Sequence, residues 1–163
     1  MTLTLAEGLV DALNTYITAN IVAKLAALDT EYTDALVLTA PVATYVGIKS
    51  LLSVAQYPSL YIILPDQTFQ PRSSTGGATK PTVFMGIVEQ DMDPEVLQRK
   101  LYRYGRALVE LTLAASPASI AGWAIATDEE WQIDTQSGLF TDTDRTTATS
   151  DVWLRVRAYA WEE

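Results

Sequence analysis

Cysteine and histidine are both missing from this 163-residue chain. Their absence removes disulfides, thiolate nucleophiles, imidazole bases and every zinc site built on nitrogen or sulfur. Any catalysis must then come from carboxylates, lysine or tyrosine, or from a magnesium ion held by carboxylates. Positive charge is scarce as well: 11 Lys and Arg stand against 20 Asp and Glu, for a formal charge of −9 and a pI near 4.4. A protein that grips nucleic acid presents a basic field, so sequence-wide DNA binding is disfavoured. An acidic surface instead lets DNA pass without holding it. No apolar run approaches the ~20 residues needed to cross a bilayer. The N-terminus, MTLTLAEG, has no basic stretch ahead of an apolar one, so no secretory signal is expected and the protein should stay where it is made. The remaining composition, 48% hydrophobic and 19% charged, is that of a globular fold, and the length suits one domain spanning residues 1–163.

The most legible stretch is 93–115, DPEVLQRKLYRYGRALVELTLAA. Asp93 is a good N-cap and Pro94 suits the first helical position, where no backbone donor is needed. Leu97, Leu101, Tyr104, Leu108, Leu111 and Ala115 recur at steps of four and three, which places them on one face of a helix. Arg99, Arg103, Arg106 and Glu110 follow the same rhythm on a second, charged face. Gly105 interrupts the helix at a cost of roughly 1 kcal/mol relative to alanine. Close packing on a strand or helix explains it most simply, and close approach of a neighbouring chain is the functional reading. Pro117 stops the helix after Ser116.

Ahead of it, residues 3–28 read as a helix with the stripe Val10, Leu13, Ile17, Ile21, Leu25 and Leu28, capped by Thr2 or Thr4 and leaving at Asp29 and Thr30. Residues 31–57 read as a connector with a short strand, from the runs Leu36–Leu38 and Tyr45–Ile48 and a possible helical turn at 49–54. Ser59–Leu64 and Thr82–Glu89, each set off by prolines, are predicted strands. The sixteen polar residues between them, PDQTFQPRSSTGGATK, read as a long hairpin loop, a length that is commonly functional or disordered. In 120–134 the spacing of Trp123, Ile125, Trp131 and Ile133 fits two short strands, or one bent strand with a bulge near Asp128. Residues 135–150 read as a second polar loop whose isolated apolar pair, Leu139 and Phe140, either tucks back or inserts into a partner. Asp151–Trp161 alternates most cleanly. Val152, Leu154, Val156, Ala158 and Ala160 point one way, and Trp153, Arg155, Arg157, Tyr159 and Trp161 the other. The fold class is therefore α+β: an antiparallel sheet of about four strands, two main helices on one face, and a long polar hairpin loop.

Chemistry-bearing patterns are few. Glu89, Asp91 and Asp93 have the residue types for a magnesium site, but they lie where a strand turns into a helix, where caps and dipole-matching acids are expected in any case. Asp128, Glu129, Glu130, Asp134, Asp142 and Asp144 read as solvated turn acids with no fixed separation for acid/base work. STGGATK superficially matches a phosphate-binding loop, but its lysine precedes Pro81 and no helix follows, so it is rejected. No metal or cofactor is assigned. The stripe Arg99, Arg103, Arg106 is either a solvated helix face or a contact for phosphate or for carboxylates of a second copy. Arg155 and Arg157 between Trp153 and Tyr159 carry the composition enriched at protein–protein interfaces.

An N-terminal helix, a connector, a strand opened by Tyr57 and Pro58 (YPSLYIIL), a long hairpin, the helix carrying LYRYGRALVEL and an aromatic, arginine-bearing last strand together resemble the tail terminator (tail-completion, neck) proteins of long-tailed bacteriophages. The resemblance covers most of the chain in element order, and it implies a structural virion protein rather than an enzyme. It implies a ring, generally a hexamer, that caps the tail tube at its head-proximal end. Its partners would be other copies of itself, the tail-tube protein and the head–tail connector or stopper protein, with DNA passing through the lumen and no membrane involved. Such a protein is assembled in the host cytoplasm and ends in the tail or neck of the virion. On this resemblance Arg99, Arg103 and Arg106 are candidates for inter-subunit or lumen contacts. The loop from Gln67 to Lys80, with Phe69 and Arg72, is a candidate for docking. The connector at 31–57 matches no part of the pattern, which leaves a neighbouring neck component, such as a stopper, open.

Overall fold

The computed structural model describes residues 7–46, 56–71, 77–141 and 147–162. Helix α1 (Glu7–Tyr32) buries Leu9, Val10, Leu13, Ile17, Ile21, Leu25 and Leu28, the expected stripe with Leu9 added. It runs four residues past Leu28 because Asp29 does not end it. That side chain instead accepts from the Leu38 amide at 3.1 and 3.2 Å, folding the following segment back onto the helix. The proposed caps Thr2 and Thr4, and the helical turn at 49–54, lie outside the described residues.

The strands are β1 (Ala43–Val46), β2 (Ser59–Pro71), β3 (Gly77–Asp91), β4 (Ala124–Ile125), β5 (Gln132–Thr141) and β6 (Ala148–Glu162), with helix α2 (Pro94–Ala114) and a 3-10 turn (Pro117–Ser119) between β3 and β4. They form one six-stranded sheet in the order β1-β2-β3-β6, with β4 and β5 both pairing the far edge of β6. The sheet is thus mixed and larger than the four antiparallel strands expected, because β1 runs parallel to β2. The Tyr57–Pro58 peptide leading into β2 is cis.

Both expected loops are mostly strand. β2 and β3 pair from Ser59 with Val88 out to Pro71 with Gly77, leaving 72–76 as the connection. The prolines of these arms fall where a ladder on one side of the strand is interrupted. Pro65 falls in the register shift between Ile63 and Asp66. Pro81 keeps its register with Gln67 of β2, while Lys80 and Pro81 of β3 skip their pairing to β6. Residues 132–141 pair with β6 as an edge strand, with a register shift between Gln136 and Phe140. A polar, irregular edge is a common way to discourage unwanted strand pairing.

α2 is capped as its sequence predicts: Asp93 Oδ1 accepts from the Glu95 and Val96 amides, with Pro94 in the first position. Leu97, Leu101, Tyr104, Leu108 and Leu111 are buried against Val83, Met85 and Ile87 of β3 and Val152, Leu154 and Val156 of β6. α1 packs alongside and shares the same core, so both helices cover one face of the sheet. Each fully buried aliphatic side chain contributes about 1.5–3 kcal/mol. Gly105 has its packing explanation: a Cβ there lies 3.0 Å from Val152 Cγ2, so the helix approaches β6 as closely as its backbone allows.

One polar knot crosses this core. Tyr104 Oη donates within reach of both the Thr39 carbonyl at 2.8 Å and Glu89 Oε2 at 3.0 Å. Glu89 is 4% exposed, and its other oxygen accepts from the Gln90 amide. Burial, followed by the Glu89 charge, pushes the Tyr104 phenol far above its ordinary value, so it serves as a permanent donor. Tyr104→Phe leaves a buried carboxylate oxygen short of its donor and is expected to cost about 1–3 kcal/mol in urea unfolding.

Candidate functional site

The acids at the turn from β3 into α2 each have a structural task. Glu89 is bound to Tyr104, Asp91 pairs with Lys100 at 2.8 Å and accepts from the Asp93 amide, and Asp93 caps α2. Among the described residues no group of three or more Asp or Glu is placed to hold a metal ion. Nor is any described helix long and apolar enough to cross a membrane.

The arginine stripe of α2 is largely turned to its own chain. Arg103 is 5% exposed, not a surface cation: it grips both oxygens of Asp34 in a bidentate pair and lies 4.1 Å over the Tyr32 ring. Asp34 itself stays solvent-exposed, so the pair is half-open to water, with only the arginine side enclosed. The guanidinium of Arg103 holds the Asp34 carboxyl below the usual carboxylate range, and that hydrogen bond in turn raises Arg103. Arg106 spans Glu31 at 2.7 Å, Glu110 at 2.7 Å and the Tyr32 hydroxyl, all of which raise its pKa. Lys24 completes the link from α1 to Glu110 at 2.8 Å. The expected contact face is therefore the seam between the two helices, because α1 runs on to Tyr32 and brings Glu31 and Tyr32 alongside. Arg99 is exposed and paired with Glu95 one turn back.

The open face of the sheet, opposite the helices, is where the aromatic residues gather. Register aligns Tyr45, Tyr61, Gly86 and Trp153 across four strands. Ring centroids are 5.0 Å apart for Tyr45–Tyr61 and 5.9 Å for Tyr61–Trp153, both tilted. The row exists because position 86 has no side chain: a Cβ there falls 2.5 Å from Trp153 Cε3. With Val88 and Tyr57 these rings form a second apolar cluster. Tyr61 is 1% exposed, and its hydroxyl is buried without a hydrogen-bond partner among the described residues. Burial, then the neighbouring Tyr45 and Tyr57, pushes its pKa up to about 12. Beside the row, Asp151 is buried and accepts from Trp153 Nε1 at 2.9 Å. Its carboxyl is held above the ordinary range by burial, against the pull of that hydrogen bond.

Further along β6 the face opens. Trp153 and Tyr159 are half-buried, and Arg155 and Arg157 are exposed. Arg155 lies 5.7 Å over the Phe84 ring and has no carboxylate partner among the described residues. Arg157 reaches Glu129 at 3.1 Å. The crossover from β4 to β5 arches over this stretch, tied at its neck by Trp131 Nε1 donating to the Ala126 carbonyl at 2.8 Å. Between arch and strand is a hollow of about 760 Å³, lined by Glu129, Glu130, Trp131, Ile133, Arg155 and Arg157. The alternation of β6 foretold this row; Tyr45, Tyr61 and Gly86 were missed because only register shows that they are neighbours. Phe69 lies on β2 opposite Thr79, and Phe140 on β5 opposite Thr149, so neither is in a loop. Leu139 sits in the shift just before Phe140. The side chains of these three are not described, and Arg72 lies outside the described residues.

Two outcomes follow for the aromatic row. Gly86→Ala should displace the Trp153 indole and cost about 1–3 kcal/mol, read by denaturant unfolding with tryptophan fluorescence. For Asp151 the folded pKa is raised above its unfolded value of about 3.9. Its ionisation therefore lowers stability as pH rises from about 4 through the folded pKa, and the loss persists above it. Asp151→Asn keeps an acceptor for the indole and removes the charge. Its melting temperature should exceed that of the parent at pH 7 and match it near pH 3.

No protein-family model matches the chain, and no curated protein matches it. Among solved structures it is similar to a chain of one described as "Virion of native gene transfer agent (GTA) particle". The superposition covers 88% of this chain and 95% of that one, with 11% identity and a TM-score of 0.31. The likeness is to a component of a virion particle and is too slight to carry an argument about activity or position.

Proposed function

We propose that this chain is a structural virion protein that assembles into a ring at the head-proximal end of a phage tail, where it caps the tail tube and joins it to the head connector. The observation that carries the proposal is the outward row of β6, Trp153, Arg155, Arg157 and Tyr159, on the sheet face away from both helices. Aromatic and arginine side chains on a rigid strand are the composition that dominates binding energy at interfaces. A strand hydrogen-bonded on both sides holds them in fixed positions, so little order is lost on docking. The extended arms of β2 and β3 supply a second projecting element for the tube or the connector. The acidic balance of the chain suits a lumen that DNA crosses without adhering. A stopper or other neck component is the alternative within the same class. A magnesium-dependent enzyme is the alternative outside it, and a saturable Mg²⁺ isotherm with substrate turnover would favour it.

The test is Arg155→Glu together with Arg157→Glu. The only ion pair lost among the described residues is the exposed Arg157–Glu129 contact, so stability should change by under about 1 kcal/mol. Circular dichroism and the melting temperature should stay close to the parent while rings disappear from light scattering and electron micrographs. Intact rings or complete particles from the double variant would remove β6 from the interface.

A further inference from the structure

We infer that the open sheet face of one copy seats on the outer side of α1 of the next copy, with Arg155 taking the carboxylate of Asp11. This rests on the ring reading above and names the partner surface within it. Most cations of the helix layer are already committed: Lys24 to Glu110, Arg99 to Glu95, Lys100 to Asp91, Arg103 to Asp34, and Arg106 to Glu31 and Glu110. On the sheet face Arg157 is held by Glu129, whereas Arg155 is exposed beside the hollow, with the Phe84 ring beneath it and no carboxylate within 4.0 Å among the described residues. An arginine placed over an aromatic ring at the rim of a hollow is ready to receive a carboxylate.

The matching surface lies on the other side of the molecule. Glu7, Asp11, Thr15, Thr18 and Val22 follow the helical period along α1 and are all exposed. Neither Glu7 nor Asp11 has an ion pair among the described residues, and no lysine or arginine interrupts the stripe. The stripe ends in Val22, 62% exposed, and the sheet face offers the half-buried Phe84 ring beneath Arg155, so each surface carries apolar area beside its charge. Glu7 and Asp11 are on the helix layer and Arg155 is on the sheet, which are opposite faces of one protomer. Joining opposite faces is a heterologous contact, and repeating it produces a ring when the rotation closes. The arch acids Asp128 and Glu130 are the rival carboxylates. They share a face with Arg155, so using them would instead make a two-fold dimer.

Charge exchange separates these cases. Arg155→Glu alone and Asp11→Lys alone should each lower the assembled fraction of the full chain at least about tenfold by light scattering. The double variant, with the signs exchanged, should recover to within about threefold of the parent. Both positions are exposed, and matching circular dichroism confirms folding of each variant. If the parent forms rings and the exchange gives no recovery, this pairing is wrong while the ring reading stands. Recovery with Glu130→Lys in place of Asp11→Lys also overturns it, in favour of a two-fold contact. A parent that stays monomeric at its highest soluble concentration and in native particles overturns both readings.

Discussion

The close contact of α2 with the β3–β6 pair sets the rest of the molecule. Gly105 brings the helix backbone within van der Waals reach of Val152, and the stripe from Leu97 to Leu111 fills the remaining space. α1 can then pack only beside α2, on the same side of the sheet. Sealing one face completely leaves the other to be managed by the strands' own side chains. The lower half is filled by Tyr45, Tyr61 and Trp153 over Gly86, a packing made possible by one missing side chain. In the upper half Arg155 and Arg157 are exposed, and this is the surface proposed above for assembly.

Charge follows the same division. With 20 acids and 11 bases, a chain that spent its cations evenly would leave both faces acidic. Instead the helix seam absorbs Lys24, Arg103 and Arg106, with Asp34, Glu31 and Glu110 as partners. Asp34 and Glu110 are held below the ordinary carboxylate range by these cations. Their contribution is present above the unfolded pKa and fades as pH falls through the folded values. Asp151 opposes them, since its charge is a cost and its protonation a relief. The seam is thus a neutral-pH device, and the sheet face is where positive charge remains unspent.

The helices and the outer strands of the hairpin were legible because burial on one side imposes a period that the side chains must obey. The stripes of α1 and α2, the cap at Asp93, and the two rows of β6 follow from that alone. Three kinds of feature were not legible. Residues 132–141, QIDTQSGLFT, form an edge strand whose stability comes from pairing with β6 rather than from propensity. The arms of the hairpin hide behind Pro65, Pro71 and Pro81, tolerated because the ladder is interrupted or ends at those points. Arg103 looked like a surface charge because the sequence cannot show that Asp34 and Tyr32, some seventy positions away, fold back over it. Of the candidate surface, the β6 row could be read from alternation, while its aromatic neighbours on β1 and β2 depend on register.

β6 ties these threads together, since one strand carries both the core and the candidate interface. Its inner row, Val152 to Ala160, belongs to the core shared with α2, and Val152 lies directly against Gly105 of that helix. Its outer row divides at Arg155. Before it, Asp151 and Trp153 are committed to the aromatic row and to each other, so altering them acts through folding. From Arg155 onward the outward side chains rest on no helix, and Arg155 and Arg157 project from a backbone held on both sides by β3, β4 and β5. A period of two thus separates the side chains that hold the core from those of the proposed interface along the same strand. An interface placed on a loop would have to be ordered each time two copies met. The proposed interface, placed here, would be rigid before a neighbour arrived, and its specificity would rest on which carboxylates that neighbour presented.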